Sequence, residues 1–223
     1  MRLVLFDVDG TLVDSQHMIC SAMTQMLIEL GRPVPDRGFM LAGVGLSLIP
    51  TMRRLLGEDV AQAEVEAAAE HYRRAFQALR ADPANVDPVF PGALEVVDAL
   101  NARDDLVLGI ATGKSRRGVA HIVERLGWQQ HFVTIQTADD APSKPQPAMV
   151  LQAAREAGVT PADVIMIGDT SYDMEMARNA GSARVGVGWG NHPVDVLLAA
   201  GAQHVIGHFD ELEPWIDQAH REA

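Results

Sequence analysis

Cysteine is almost absent: Cys20 stands alone among 223 residues, which excludes an intramolecular disulfide and any cysteine-built metal cluster. Its expected role is that of a small buried apolar side chain. Lysine is nearly as scarce, with Lys114 and Lys144 the only two among 18 basic residues. No run approaches the ~20 apolar residues of a spanning helix, and no charged stretch with a cleavable apolar segment opens the chain. The expected location is therefore the cytoplasm, with no membrane partner. A basic stripe is missing as well: 30 acidic against 18 basic residues leave a net charge of −12 and a pI near 5.0. That balance argues against nucleic acid as a partner, so an anionic substrate needs positive charge supplied locally.

What is present is a large apolar fraction, 48%, ample for one sizeable domain or for a core carrying an insert. The most informative stretch is the first. Leu3, Val4, Leu5 and Phe6 read as a buried strand that ends abruptly in Asp7-Val8-Asp9-Gly10-Thr11. Residues i and i+2 of a strand share a side, so Asp7 and Asp9 are expected to crowd two like charges, which raises a carboxylate pKa unless a cation intervenes. Gly10 permits close backbone approach and Thr11 adds a hydroxyl, so this tip is suited to a metal ion and an anionic group together. The plain alternative is a strand running into an acidic, solvated turn.

Periodicity predicts helices over 17–30, 47–56 and 60–81, followed by a Pro-rich linker at 82–88. From residue 91 the pattern alternates: helix 92–103, strand 106–111, helix 115–126, strand 132–136, helix 147–157, strand 163–168, helix 171–180, strand 183–188. Such alternation implies an α/β, Rossmann-like parallel sheet with helices on both faces, which binds ligands beyond the carboxyl ends of its strands. The helical piece is then an insertion after the first strand. The division is residues 1–14 and 88–223 for the core, and 15–87 for a helical cap.

Chemistry-bearing residues fall at those strand ends. Strand 106–111 runs into Thr112-Gly113-Lys114-Ser115, a hydroxyl and free amides at a helix start, suited to an anion, although Ser115 can equally be a simple cap. Strand 163–168 ends in Gly168-Asp169, with Asp173 one helical turn on; here too an N-cap is the bland reading. Lys144 sits between Ser143 and Pro145, beside a helix N-terminus. Lys114 is expected to be a surface residue at a helix start, and Arg53 and Arg54 a solvated helix face.

In spacing and order, Asp7-x-Asp9-Gly10-Thr11, then Thr112-Gly113, then Lys144-Pro145, then Gly168-Asp169 with Asp173, the chain resembles the haloacid dehalogenase-like hydrolases over nearly its whole length. Within that superfamily the cap length and the second half of the motif set resemble the phosphoglycolate phosphatase-like group. The resemblance implies a phosphomonoesterase in which Asp7 attacks phosphorus to form an aspartyl-phosphate and Asp9 is the general acid and base. It implies Mg²⁺ held by Asp7, the Asp9 main-chain carbonyl and Asp169, with Asp173 in support, and phosphate held by Gly10, Thr11, Thr112, Gly113 and Lys144. The partner implied is a small phosphorylated metabolite, the assembly a monomer or homodimer. Dehalogenases of the superfamily lack an acid at the position of Asp9, which disfavours that chemistry. A sugar-phosphate mutase similar to β-phosphoglucomutase remains an alternative, although such mutases often carry Glu-Asp where this chain has Gly168-Asp169. A non-catalytic phosphate-binding protein is the other alternative. Substrate choice is expected in the cap, with Gly43, Val44 and Gly45 the loop most suited to approach a small ligand.

Overall fold

The computed structural model describes residues 1–221. Six strands, β1 (Arg2–Phe6), β2 (Leu106–Ala111), β3 (Phe132–Gln136), β4 (Val164–Gly168), β5 (Ala183–Val187) and β6 (His204–Ile206), form one sheet in the order β3-β2-β1-β4-β5-β6. Every pairing is parallel. The side-chain alternation of β1 explains why both faces are covered. Val4 and Phe6 join a cluster with α5 (Ala93–Asn101), α6 (Arg116–Arg125) and α10 (Leu212–Arg221), whereas Leu3 and Leu5 meet α7 (Ala148–Ala157) and α8 (Ser171–Ala180) on the other face. A strand buried on both sides must be apolar throughout, as Leu3 to Phe6 are.

Between β1 and α5 lie four helices: α1 (Gln16–Glu29), α2 (Arg37–Leu41), α3 (Leu48–Leu56) and α4 (Gln62–Ala81). They bury their own core, in which Ile19, Met23, Met26 and Leu27 of α1 pack with Met52 and with Val65, Ala68 and Ala69 of α4. The chain leaves the sheet and returns to it along a single seam. Val13 bridges Val89, Asp14 N donates to Pro88 O at 2.8 Å, and Phe90 N donates to Leu12 O at 3.0 Å.

The predicted elements are present within one to two residues at their ends, and the structure adds several the periodicity missed. Five-residue α2, capped by Asp36 accepting from Phe39 N at 2.9 Å, and three-residue β6 are too short to show a period. A last helical pair, α9 (Val194–Ala199) and α10, follows the fifth strand. Among the described residues no helix is long and apolar enough to cross a membrane.

Candidate active site

Register sets the site. Phe6 pairs with Ile110 of β2 and with Ile167 of β4, so the residues just beyond these strands come level with one another at the carboxyl edge of the sheet. Asp7 follows β1 and Asp169 follows the neighbouring β4. Asp173 enters from the first turn of α8, where it forms a capping box: its Oδ2 accepts from Thr170 N at 3.1 Å and from Thr170 Oγ1 at 2.6 Å. Asp7, Asp169 and Asp173 are all buried, and one oxygen of each lies within 4.8 Å of the others.

One ammonium stands among these three carboxylates. The α7 crossover passes over β1, and the loop before it, with a cis peptide bond between Lys144 and Pro145, delivers Lys144 Nζ to 2.6 Å from Asp173 Oδ1 and 3.1 Å from Asp7 Oδ1. The lysine side chain is 0% exposed. Burial works against its charge, but Asp173 and Asp7 outweigh it and hold the Lys144 pKa above its ordinary value. Asp7 goes the other way: burial, opposed by Lys144 and reinforced by Asp173 and Asp9, pushes its carboxyl up to about 7. Asp169 is raised too, by burial first and then by Asp173 and Asp7. The crowding expected between Asp7 and Asp9 is thus chiefly between Asp7 and Asp173, because the strand's two-residue alternation stops at Phe6.

Both oxygens of Asp7 are buried, Oδ1 with the Lys144 ammonium 3.1 Å away and Oδ2 with no hydrogen-bonding side chain. Three buried carboxylates against a single cation, with unsatisfied hard oxygen donors, fit a divalent ion such as Mg²⁺. Asp169 is held from several sides. Its Oδ1 accepts from Thr11 Oγ1 at 3.1 Å, and its Oδ2 accepts from Asn191 N at 2.8 Å and Asn191 Nδ2 at 2.7 Å. Gly10 and Gly190 make room for it: a Cβ on either would stand 2.1 Å from an Asp169 atom, and Gly10 also has φ +85°. Gly10 and Thr11 therefore surround Asp169 instead of facing the cavity described next.

A cavity of about 300 Å³ opens between the strand tips and the helical insertion, with Asp7, Asp9, Thr112, Gly113 and Lys114 on its floor. The Asp9 carboxylate does not join the buried trio. Its Oδ1 accepts from Ser15 Oγ at 2.6 Å and lies 2.8 Å from Lys114 Nζ. Lys114 is thus no surface residue, contrary to the expectation for a lysine at a helix start; its side chain is 9% exposed, because the turn opened by Thr112 aims it back across the strand tips. Its Nζ also lies 5.4 Å from the ring centroid of Phe76 in α4. Ser115 does cap α6, accepting from Gly118 N. Ser15, by contrast, occupies the N-cap position of α1 without capping it, its hydroxyl being committed to Asp9.

The loop Ala42–Ser47 closes one side of the cavity. Gly113 must be glycine here, since a Cβ would stand 2.4 Å from Leu46 O. Ser47 N donates to Ser143 Oγ at 2.9 Å, and Tyr172 Oη donates to Ala42 O at 3.0 Å. Val44 and Gly45 line the cavity. Gly43 does not: its neighbours are the side chains of Thr51 and Arg54. Arg53 and Arg54 are half-buried, not a solvated face. Arg53 donates to Val60 O, Glu58 O and Gln62 Oε1, closing the end of α3, and Arg54 lies 5.2 Å from the Phe39 centroid. Asn191, Ser15 and Phe76 were not picked out from sequence. Asn191 follows β5, so the strand-end rule reaches it; Ser15 reads as a cap, and Phe76 as helix core.

A family model described as haloacid dehalogenase-like hydrolase matches residues 4–187. A probable phosphatase IndB of Dickeya dadantii is 36% identical over 94% of this chain and 91% of its own length. A phosphoglycolate phosphatase of Pseudomonas putida is 33% identical over 87% of this chain and 73% of its own. The crystal structure of a hydrolase from Pseudomonas syringae superposes with a TM-score of 0.85 at 26% identity, covering 98% of this chain and 99% of that one.

Proposed function

The chain belongs to the haloacid dehalogenase-like hydrolases, among relatives named phosphoglycolate phosphatase, and from that premise we propose a Mg²⁺-dependent hydrolysis of a small phosphomonoester through an aspartyl-phosphate on Asp7. What supports this reading most is the state of Asp7: a buried carboxylate at the floor of a cavity, with the Lys144 ammonium 3.1 Å from Oδ1 and Oδ2 left without a hydrogen-bonding side chain. A carboxylate so placed is free to act as nucleophile.

The phosphoryl group enters with its oxygens toward the Thr112 hydroxyl and the Gly113 amide, donors fixed in place before the reaction. Lys144 offsets charge on the nucleophile side. As the bond from Asp7 to phosphorus forms and the ester oxygen leaves, Asp9 gives that oxygen its proton; the charge left on Asp9 meets the Lys114 ammonium and the Ser15 hydroxyl, 2.8 and 2.6 Å away. Water then attacks the acyl phosphate, Asp9 takes its proton, and phosphate departs with both aspartates restored. Mg²⁺, when bound, would be held by Asp7, Asp169 and the Asp9 main-chain carbonyl with Asp173 in support, and supplies the positive charge that phosphoryl transfer between anions requires. Residues 15–87 act as the cap over a core of 1–14 and 88–223, excluding bulk water from the acyl phosphate.

Phosphate release from 2-phosphoglycolate and other small monoesters, measured with Mg²⁺ and with EDTA, tests the reading. Turnover is expected only with metal, and Asp7→Asn is expected to abolish it; an active Asp7→Asn enzyme overturns the assignment. Incubation with β-glucose 1-phosphate separates the mutase alternative, with free phosphate expected and no glucose 6-phosphate.

A further inference from the structure

The alcohol half of the substrate must leave past Asp9, and beyond Asp9 and its Lys114 partner the cavity wall is aromatic. Lys114 Nζ stands 2.8 Å from the Asp9 carboxylate and 5.4 Å from the Phe76 ring centroid, so the ring lies one ammonium group away from the proton donor. Tyr72, one helical turn earlier in α4, sits with its ring centroid 5.7 Å from that of Phe76 at an interplanar angle of 35°. Ile19 and Met23 of α1 extend the same wall from the neighbouring helix, and all four line the cavity. The insertion thus presents an apolar wall, edged by Arg73, Gln77 and Arg80 of α4, to the space beyond the phosphoryl position.

A two-carbon acid makes poor use of that surface. Its carboxylate calls for a cation beside the apolar wall, yet of the cations lining the cavity Lys114 is paired with Asp9 and Arg73 with Glu70, while Arg117 stands exposed on the first turn of α6. Arg80, which does line the cavity, lies 4.8 Å from the Phe76 centroid and is held against that ring. The volume of about 300 Å³ falls at the lower end of pockets that take ring-containing ligands. The Ser47 hydroxyl, buried on the cavity lining, makes no hydrogen bond, and a ring substituent bearing an oxygen or nitrogen would satisfy it.

We propose that the preferred substrate is the phosphomonoester of a primary alcohol carrying a flat ring, aromatic or heterocyclic, seated against Phe76 and Tyr72. This rests on the phosphatase reading above and narrows it. Burying one ring face in such a wall is worth tenfold or more in kcat/KM, since a buried ring-sized apolar area contributes on the order of one such factor.

Benzyl phosphate and 2-phosphoglycolate share a primary-alcohol leaving oxygen and differ in the group behind it. With Mg²⁺ present, kcat/KM for benzyl phosphate is expected to exceed that for 2-phosphoglycolate at least tenfold in the unmodified protein. Phe76→Ala is expected to reduce that ratio at least fivefold; both substrates are measured on one preparation, so any unfolded fraction cancels. A preference for 2-phosphoglycolate, or a ratio that Phe76→Ala leaves unchanged, overturns the proposal. Asp7→Asn separates the two levels of inference: if it abolishes turnover of both esters while 2-phosphoglycolate is preferred, the phosphatase reading stands and the ring preference falls. If Asp7→Asn remains active, the chemistry itself is misassigned.

Discussion

Replacing Asp7 by Asn is expected to destroy activity and, without metal, to make the protein more stable. Burial and the nearby Asp173 and Asp9 push the Asp7 carboxyl from its ordinary 3.8 up to about 7 in the folded protein, even with Lys144 beside it. A carboxyl raised on folding favours the native state fully below the unfolded pKa, and that advantage is lost as pH rises through the folded one. Between 3.8 and about 7, at ~1.4 kcal/mol per pH unit, the ionised group costs roughly 4 kcal/mol at pH 8. Asparagine carries no charge but leaves a buried amide short of partners, which costs ~1–3 kcal/mol, so the net gain is on the order of 2 kcal/mol. For a chain of this size that is a Tm rise of roughly 4–8 °C. The assay is thermal unfolding of both proteins in EDTA at pH 8 and pH 5.5. At pH 5.5 about half of the electrostatic cost has gone, and the gain should shrink toward zero. Saturating Mg²⁺ should reverse the order, because it binds the native aspartate form more tightly. Equal Tm values at pH 8 in EDTA, or a gain that does not depend on pH, would refute the reasoning.

Lys144→Met keeps the volume and removes the cation between Asp7 and Asp173, so denaturant unfolding should register a loss of ~3–5 kcal/mol; an unchanged midpoint would show that the pair is not coupled as described. Gly190→Ala places a Cβ 2.1 Å from Asp169 Cβ, so the rise in Tm with added Mg²⁺ should largely disappear, and a normal metal response would argue against Asp169 as a ligand. Lys114→Ala leaves the buried trio intact and frees Asp9, so kcat is expected to fall ~10–100-fold with the metal-induced Tm shift preserved; loss of both together would place Lys114 in the metal site.

Much of this architecture was legible because the central strands are short, apolar and closed by residues of another kind. Leu3 to Phe6 followed by Asp7, and Val164 to Gly168 followed by Asp169, mark both a strand and its functional end. What was not legible depended on long-range contact. Lys114 and Lys144 look alike as isolated lysines; the order of the motifs singles out Lys144, whereas only the turn after β2 shows that Lys114 points inward as well. Ser15 has the residue type and position of an N-cap, and nothing local says that its hydroxyl serves Asp9. Phe76 fits the apolar stripe of α4 equally well as core or as cavity wall. Gly43 and Gly45 look equivalent in sequence, yet a Cβ would meet the Arg54 side chain at the first and Thr170 at the second.

The chain's two lysines both lie in the site, one against Asp9 and the other between Asp7 and Asp173. Selective ¹⁵N labelling of lysine therefore yields a spectrum in which every side-chain ammonium signal comes from the candidate site, without a single engineered probe. Lys144, sealed from solvent, exchanges its protons slowly, whereas Lys114, at the cavity floor, responds to whatever enters. An amine-directed reagent applied to this protein likewise reads the cavity and the chain's α-amino group, because an otherwise arginine-based surface offers it no other side-chain amine.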